Sequence, residues 1–190
     1  MPKIFLIRGL PGEGKTTLAR ELASDESAVI AADDFFMTLP DEELAYYDMQ
    51  NSKHPAKARN AYPNRVCASG YRQFEKNRAL KRGYNFDLNF IAAAHQWCQS
   101  HVERLASINH EHIIVHNTFC ERWEMQPYLE IAERYGFEIE VRSVRDPGHT
   151  AAFLAMRNTH GVPESSIQAM MNRWEEDWEN ADVRPPWERK

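Results

Sequence analysis

The stretch KIFLIRGLPGEGKTTLAR, residues 3–20, decides the fold. Lys3 to Ile7 is an almost unbroken apolar run, the composition of a strand covered on both faces in a parallel sheet. The residues after it match GxxxxGK[ST] across Gly9, Leu10, Pro11, Gly12, Glu13, Gly14, Lys15 and Thr16, with Thr17 following. A strand before this spacing and a helix after it, here expected over Lys15 to about Ala23, are the context that gives the spacing chemical meaning. Glycines let backbone N–H groups converge on a β-phosphate at the positive end of the helix. The Lys15 ammonium then neutralises β- and γ-phosphate charge, and the Thr16 hydroxyl is placed to ligate Mg²⁺. Residues 9–17 are therefore assigned to nucleotide binding, and the absence of an NKxD-type guanine-specifying sequence makes ATP the expected donor.

Strand-like runs recur downstream at Ser27 to Ala32, Glu111 to His116 and Phe137 to Val144, the last alternating and so expected nearer a sheet edge. Helical patterns lie between them. Asp87 is an N-cap candidate for a helix from Leu88 to about Leu105, and Gly136 ends another after Tyr135. Pro127 inside the latter predicts a start near Gln126 or a kink. Two late helices are expected at about Thr150 to Asn158 and Glu164 to Trp178, separated by HGVP. The acidic EEDWE run at 175–179 reads as a solvated helix face with inward tryptophans. Alternating strands and helices predict a P-loop NTPase-type α/β fold: a doubly wound parallel sheet with helices on both faces and its crevice at the carboxyl ends of the strands.

The 190 residues suit one domain, here expected over 1–190, with 43 % hydrophobic and 27 % charged side chains. A net charge of −5 excludes both a strongly imbalanced disordered chain and a globally basic coat protein. No run approaches the roughly 20 apolar residues of a membrane span, so no membrane partner is expected. Cys67, Cys98 and Cys120 are scattered and lack CxxC spacing, which argues for a reducing, cytoplasmic setting rather than a disulfide framework or zinc site.

Three further places along the chain carry candidate chemistry. Asp33 and Asp34 stand directly after the second strand, where one carboxylate accepts the proton of an attacking hydroxyl and the other holds Mg²⁺; Asp33 is assigned as base and Asp34 to the metal. The competing reading is that they only cap a following helix. His116, Asn117 and Thr118 end the third strand at the same rim, and Asn117 and Thr118 are assigned to the acceptor. His110, His112 and His116 lack a carboxylate or cysteine partner at ligand spacing and read as ordinary hydrogen-bonded histidines. Arg157, ahead of HGVP, lies where phosphoryl-transfer enzymes hold a mobile arginine over the transferring phosphate.

Residues 35–86 show no clean period, and this basic insertion after the second strand has its own logic. Between Lys53 and Arg82 nine basic residues face one acid, interleaved with Tyr62, Tyr71 and Phe74, while the rest of the chain is acidic. Cations among aromatics track phosphates and stack bases, so Arg72, Lys76 and Arg78 are assigned to a DNA substrate. No obligate protein partner is evident.

The ordered set RGLPGEGKTTLAR, ADDFFM, GYNFD, WEMQPYLEIAERYGFEIE and RNTHGVP resembles the polynucleotide-kinase-like P-loop kinases, nearest the kinase domain of the NEDD4-binding-protein-2 group. The resemblance covers about Lys3 to Glu175. It implies ATP·Mg²⁺-dependent phosphorylation of a hydroxyl on nucleic acid, with Lys15 and Thr16 at the phosphates, Asp33 as base and Arg157 in a lid. The chain departs from the family pattern at Phe36, where phage polynucleotide kinases carry an arginine that grips the substrate phosphate. It departs again at His116, where an acid is usual. With neither the length nor a second motif for a fused repair domain, it also resembles the free-standing bacteriophage kinases of 5-hydroxymethyluracil in DNA, which implies action in the host cytoplasm. A flipped base as acceptor accounts for both the basic-aromatic segment and Phe36. A 5′-hydroxyl polynucleotide kinase and a small-molecule or nucleoside kinase are the alternatives.

Overall fold

The computed structural model describes residues 2–37 and 86–189. Strands β1 (Lys3–Arg8), β2 (Ser27–Ile30), β3 (His112–His116) and β4 (Glu138–Ser143) form one parallel sheet in the order β2-β3-β1-β4. Its register sets Ile4 beside Ile113 and Ile139, and Ile30 beside Val115. The carboxyl ends of β1, β2 and β3 consequently share one edge of the sheet. β1 lies between β3 and β4, so the chain leaves the sheet in different directions from its centre, the arrangement that opens a crevice beyond the strands.

Why both faces of β1 and β3 are apolar follows from what covers them. Helix α1 (Lys15–Leu22) packs Ala19, Leu18 and Leu22 onto Ile7, Ile114 and Phe5. Side chains alternate along a strand, so Ile4, Leu6, Ile113 and Val115 face the other way, and they too are closed to solvent. Each such side chain contributes roughly 1.5–3 kcal/mol by leaving water. β4, at the edge, is half-buried, and its Glu138 and Glu140 hold Lys3 Nζ at 3.2 and 2.9 Å.

The remaining α-helices among the described residues are α2 (Ile91–Ser107), α3 (Arg122–Tyr135), α4 (Ala151–Arg157) and α5 (Glu164–Asn172). Ala94, Cys98, Val102 and Ala106 recur every fourth residue and form the buried stripe of α2. No helix among the described residues is long and apolar enough to cross a membrane. The chain divides into two compact units, one of Met1–Ala31 with His101–Lys190 and one of Ala32–Ser100. In the second, Phe35 meets Phe36 and Trp97 edge-on at 5.3 and 6.2 Å, and Phe36 meets Phe86 at 5.1 Å. Asp87 accepts from Asn89 N at 3.0 Å and caps the turn Leu88–Phe90 that leads into α2, as its sequence position predicts.

Three boundaries differ from the sequence expectation. β2 stops at Ile30 rather than Ala32, and Ala32–Phe36 coil into a short 3₁₀ turn that carries Asp33 and Asp34. α3 begins at Arg122, well before Pro127, because Glu124 reaches back to accept from Cys120 N at 2.7 Å and secures the first turn. The hydrogen bond lost at Pro127 is offset by burial of Met125, Tyr128, Ile131 and Ala132. α5 ends at Asn172 rather than Trp178, so the acidic run is not a helix face. Its backbone is committed elsewhere: Glu175 N donates to Cys120 O at 2.9 Å, Arg8 donates to Glu175 O at 2.8 Å, and Arg122 donates to the carbonyls of Trp178 and Glu179. With its N–H given to Cys120 O, Glu175 cannot continue the i→i−4 ladder of α5.

Candidate active site

The loop from Gly9 to Gly14 leaves β1 at the shared carboxyl edge and feeds α1 through Gly14, whose φ of +89° is the left-handed region that glycine enters without a Cβ penalty. Gly9 N donates to Thr118 O at 3.1 Å, which ties the start of the loop to the segment after β3. Lys15 Nζ folds back and donates to Gly9 O at 2.9 Å and Leu10 O at 3.0 Å. The ammonium is thereby held against the loop at the amino end of α1. Thr16 and Thr17 are exposed on the first turn, so the Thr16 hydroxyl is open to a hydrated cation. A hard-oxygen donor on a helix N-terminus suits Mg²⁺.

Helix α4 sits directly against the loop. Leu10 packs with Cys120, Ala151, Leu154 and Ile167 in one buried cluster that fastens α4 and α5 to the loop. Thr150 caps α4 by accepting from Phe153 N at 3.2 Å. Asn158 closes its other end, donating to Leu154 O, Ala155 O and Val162 O and accepting from Val162 N at 2.7 Å, so the HGV turn before α5 is cross-braced. Arg157 is exposed, with its Cζ 5.3 Å from the Phe153 ring. At Gly12, φ is +86°, and an added Cβ would lie 2.8 Å from Leu154 O and 3.4 Å from Arg157 Cβ. Gly12→Ala is therefore expected to push α4 off the loop. The left-handed backbone alone costs about 1–2 kcal/mol, so thermal unfolding should move down by several degrees, and titration should show weakened nucleotide binding.

Behind the loop the strand end is pinned by a buried arginine. Arg8 is 1 % exposed, donates from Nε to Phe119 O and from Nη2 to Cys120 O, both at 3.1 Å, and stacks 4.0 Å from the Trp174 ring. Burial holds its pKa below the ordinary guanidinium value and pushes the Cys120 thiol up to about 12, a buried, protonated and unreactive group. Phe119 takes a φ of +48°, uncommon for an aromatic residue. Its carbonyl is fixed by Arg8 and its ring stands edge-on to Tyr128 at 5.4 Å, so surrounding contacts determine that conformation.

The first unit thus brings together the loop, Lys15, Thr16, Asn117, Thr118 and Arg157. Asn117 is 6 % exposed and donates to the Tyr128 hydroxyl at 3.5 Å. Asp33 and Asp34 belong to the second unit, exposed in the turn Ala32–Phe36, with Met37 N donating to Asp34 O at 3.2 Å. Arg72, Lys76 and Arg78 lie outside the described residues. His110 and His112 stand at the amino end of β3 and His116 at its carboxyl end, so the three histidines do not share one rim. Sequence reading missed Arg145 and His149, which follow β4 and reach under the loop; a charged segment after a parallel strand was the available signal.

Comparison with known proteins gives this geometry a family. A family model described as an AAA domain matches residues 4–176. Human NEDD4-binding protein 2 is 26 % identical over 178 residues, 90 % of this chain. A chain in the structure of the Pnkp1/Rnl/Hen1 RNA repair complex superposes with a TM-score of 0.56 at 18 % identity over 97 % of this chain. The chain spans 8 % of the length of the first and 47 % of the second. Matched across nearly its whole length and built around a glycine-rich loop with an arginine-bearing helix upon it, the chain belongs to the AAA domain family.

Proposed function

We propose that the chain transfers the γ-phosphate of ATP to a hydroxyl group on DNA, the hydroxymethyl of 5-hydroxymethyluracil in phage DNA, as a step in thymine hypermodification. The observation that supports the phosphotransferase reading is the seating of α4 on the loop, with the Arg157 Cβ next to Gly12, while Lys15 stands at the amino end of α1. A loop that holds phosphates and an arginine beside it supply the positioning and charge that phosphoryl transfer requires. When bound, Mg²⁺ would be held by Thr16 and, on the sequence reading, Asp34, and would supply positive charge that stabilises the phosphates during transfer. Asp33 is assigned as the base that takes the acceptor proton.

The choice of DNA rests on the basic-aromatic run between Lys53 and Arg82, set in an otherwise acidic chain. Log affinity for DNA should fall linearly with log salt, by roughly 0.9 per phosphate neutralised. Reversing charge at Arg72, Lys76 and Arg78 together should abolish DNA binding and spare ATP binding. Salt-independent affinity would contradict a phosphate-tracking role and favour a small-molecule acceptor.

A further inference from the structure

Glu13 is the anomalous member of the loop. It lies between Gly12 and Gly14, next to the phosphate-binding lysine, yet its side chain is fully buried beneath the loop. Oε2 accepts from Leu10 N at 2.6 Å. Oε1 accepts from Arg145 Nη1 at 2.9 Å and from Asp146 N at 3.2 Å. His149 Nδ1 approaches Oε1 at 4.0 Å and has no other polar partner among the described residues. Arg145 is itself 9 % exposed, and its second bond goes to the carbonyl of Asp146.

A carboxylate at this place sets two demands against each other. Its bonds to Leu10 N and the segment after β4 fix the loop to the start of the connection into α4. Its negative charge also sits under a loop whose function is to collect the negative charges of a polyphosphate. In a poorly solvated setting such a charge repels strongly unless it is neutralised. Arg145 is the neutralising group, joined to Glu13 as a buried, hydrogen-bonded pair.

We propose that Arg145 is a positioning residue for the nucleotide, acting through Glu13: the pair clamps the loop to the β4–α4 connection while cancelling a charge that would otherwise expel phosphates. The inference rests on the nucleotide-binding reading of the loop and concerns a residue that no loop motif marks. It differs from a packing role in one respect. Loss of Arg145 must harm nucleotide binding in proportion to phosphate charge, and removal of the Glu13 charge must repair it.

The test is a double-mutant cycle on the whole chain, with calorimetric titration of a non-hydrolysable ATP analogue and of ADP, both with Mg²⁺. Arg145→Met should weaken the triphosphate by tenfold or more and ADP by less. Glu13→Gln keeps the shape but loses the charge and one of the two acceptor oxygens, so it should weaken both nucleotides alike, by a few fold. The double variant Glu13→Gln/Arg145→Met should return to within about threefold of Glu13→Gln alone, and Arg145→Lys should retain most of the affinity. Equal losses for the two nucleotides in Arg145→Met, or no rescue in the double variant, would overturn the proposal. Should Arg145→Met fail to fold, the double variant is read against Glu13→Gln: equal affinity supports the pair, and a tenfold deficit shows that Arg145 acts independently of Glu13. Failure of the unmodified protein to bind either nucleotide would instead refute the kinase reading.

Discussion

Asp33→Asn is expected to lower turnover about 10³-fold, the range in which positioned general bases act, while ATP binds with unchanged affinity. Asparagine has the size of aspartate and serves equally well in the first turn of Ala32–Phe36, where Asp33 is exposed. On the proposed mechanism, what the substitution removes is the proton acceptor. A matched loss in kcat and kcat/KM with constant nucleotide affinity assigns Asp33 to the chemical step. A rate within a few fold of the unmodified enzyme would leave Asp33 as a cap of its turn and remove it from the mechanism.

Lys15→Ala should reduce kcat/KM for ATP by roughly 10²–10³-fold, the cost of deleting a preorganised charge at a transferring phosphate. Lys15 Nζ is held by Gly9 O and Leu10 O, so the ammonium is aimed before nucleotide arrives. Losing those two bonds costs about 1 kcal/mol each in loop order, a small part of the kinetic effect. Titration calorimetry beside steady-state kinetics separates the two contributions: KM should rise and kcat should fall together, while the melting temperature moves by only a few degrees. Unchanged ATP kinetics would contradict the placement of the triphosphate on this loop.

The local code carried much of this arrangement. The four strands among the described residues, the loop, the helix after it, the terminating Gly136 and the start of α4 at Thr150 were legible, because apolar runs, a glycine spacing and capping residues are decided within a few neighbours. What escaped was set by partners far along the chain. α5 reads as helical beyond Asn172, yet Arg8 and Arg122 take the carbonyls of Glu175, Trp178 and Glu179. Pro127 suggested a late start or a kink for α3 because the burial that outweighs it involves Tyr128 and Ile131, invisible to a local rule. The loop motif placed Glu13 among nucleotide-binding residues, while only the fold shows its carboxylate turned inward onto Arg145. No spacing links residues so distant in sequence.

The central claim is tested most directly by following radiolabelled γ-phosphate from ATP to three acceptors side by side. They are DNA containing internal 5-hydroxymethyluracil, matched thymine DNA with free 5′-hydroxyl ends, and free nucleosides. Label on the modified internal base alone is the expected result. Label confined to 5′ ends would make the protein an end-directed polynucleotide kinase, and label on nucleosides alone or on no acceptor would contradict phosphoryl transfer to DNA.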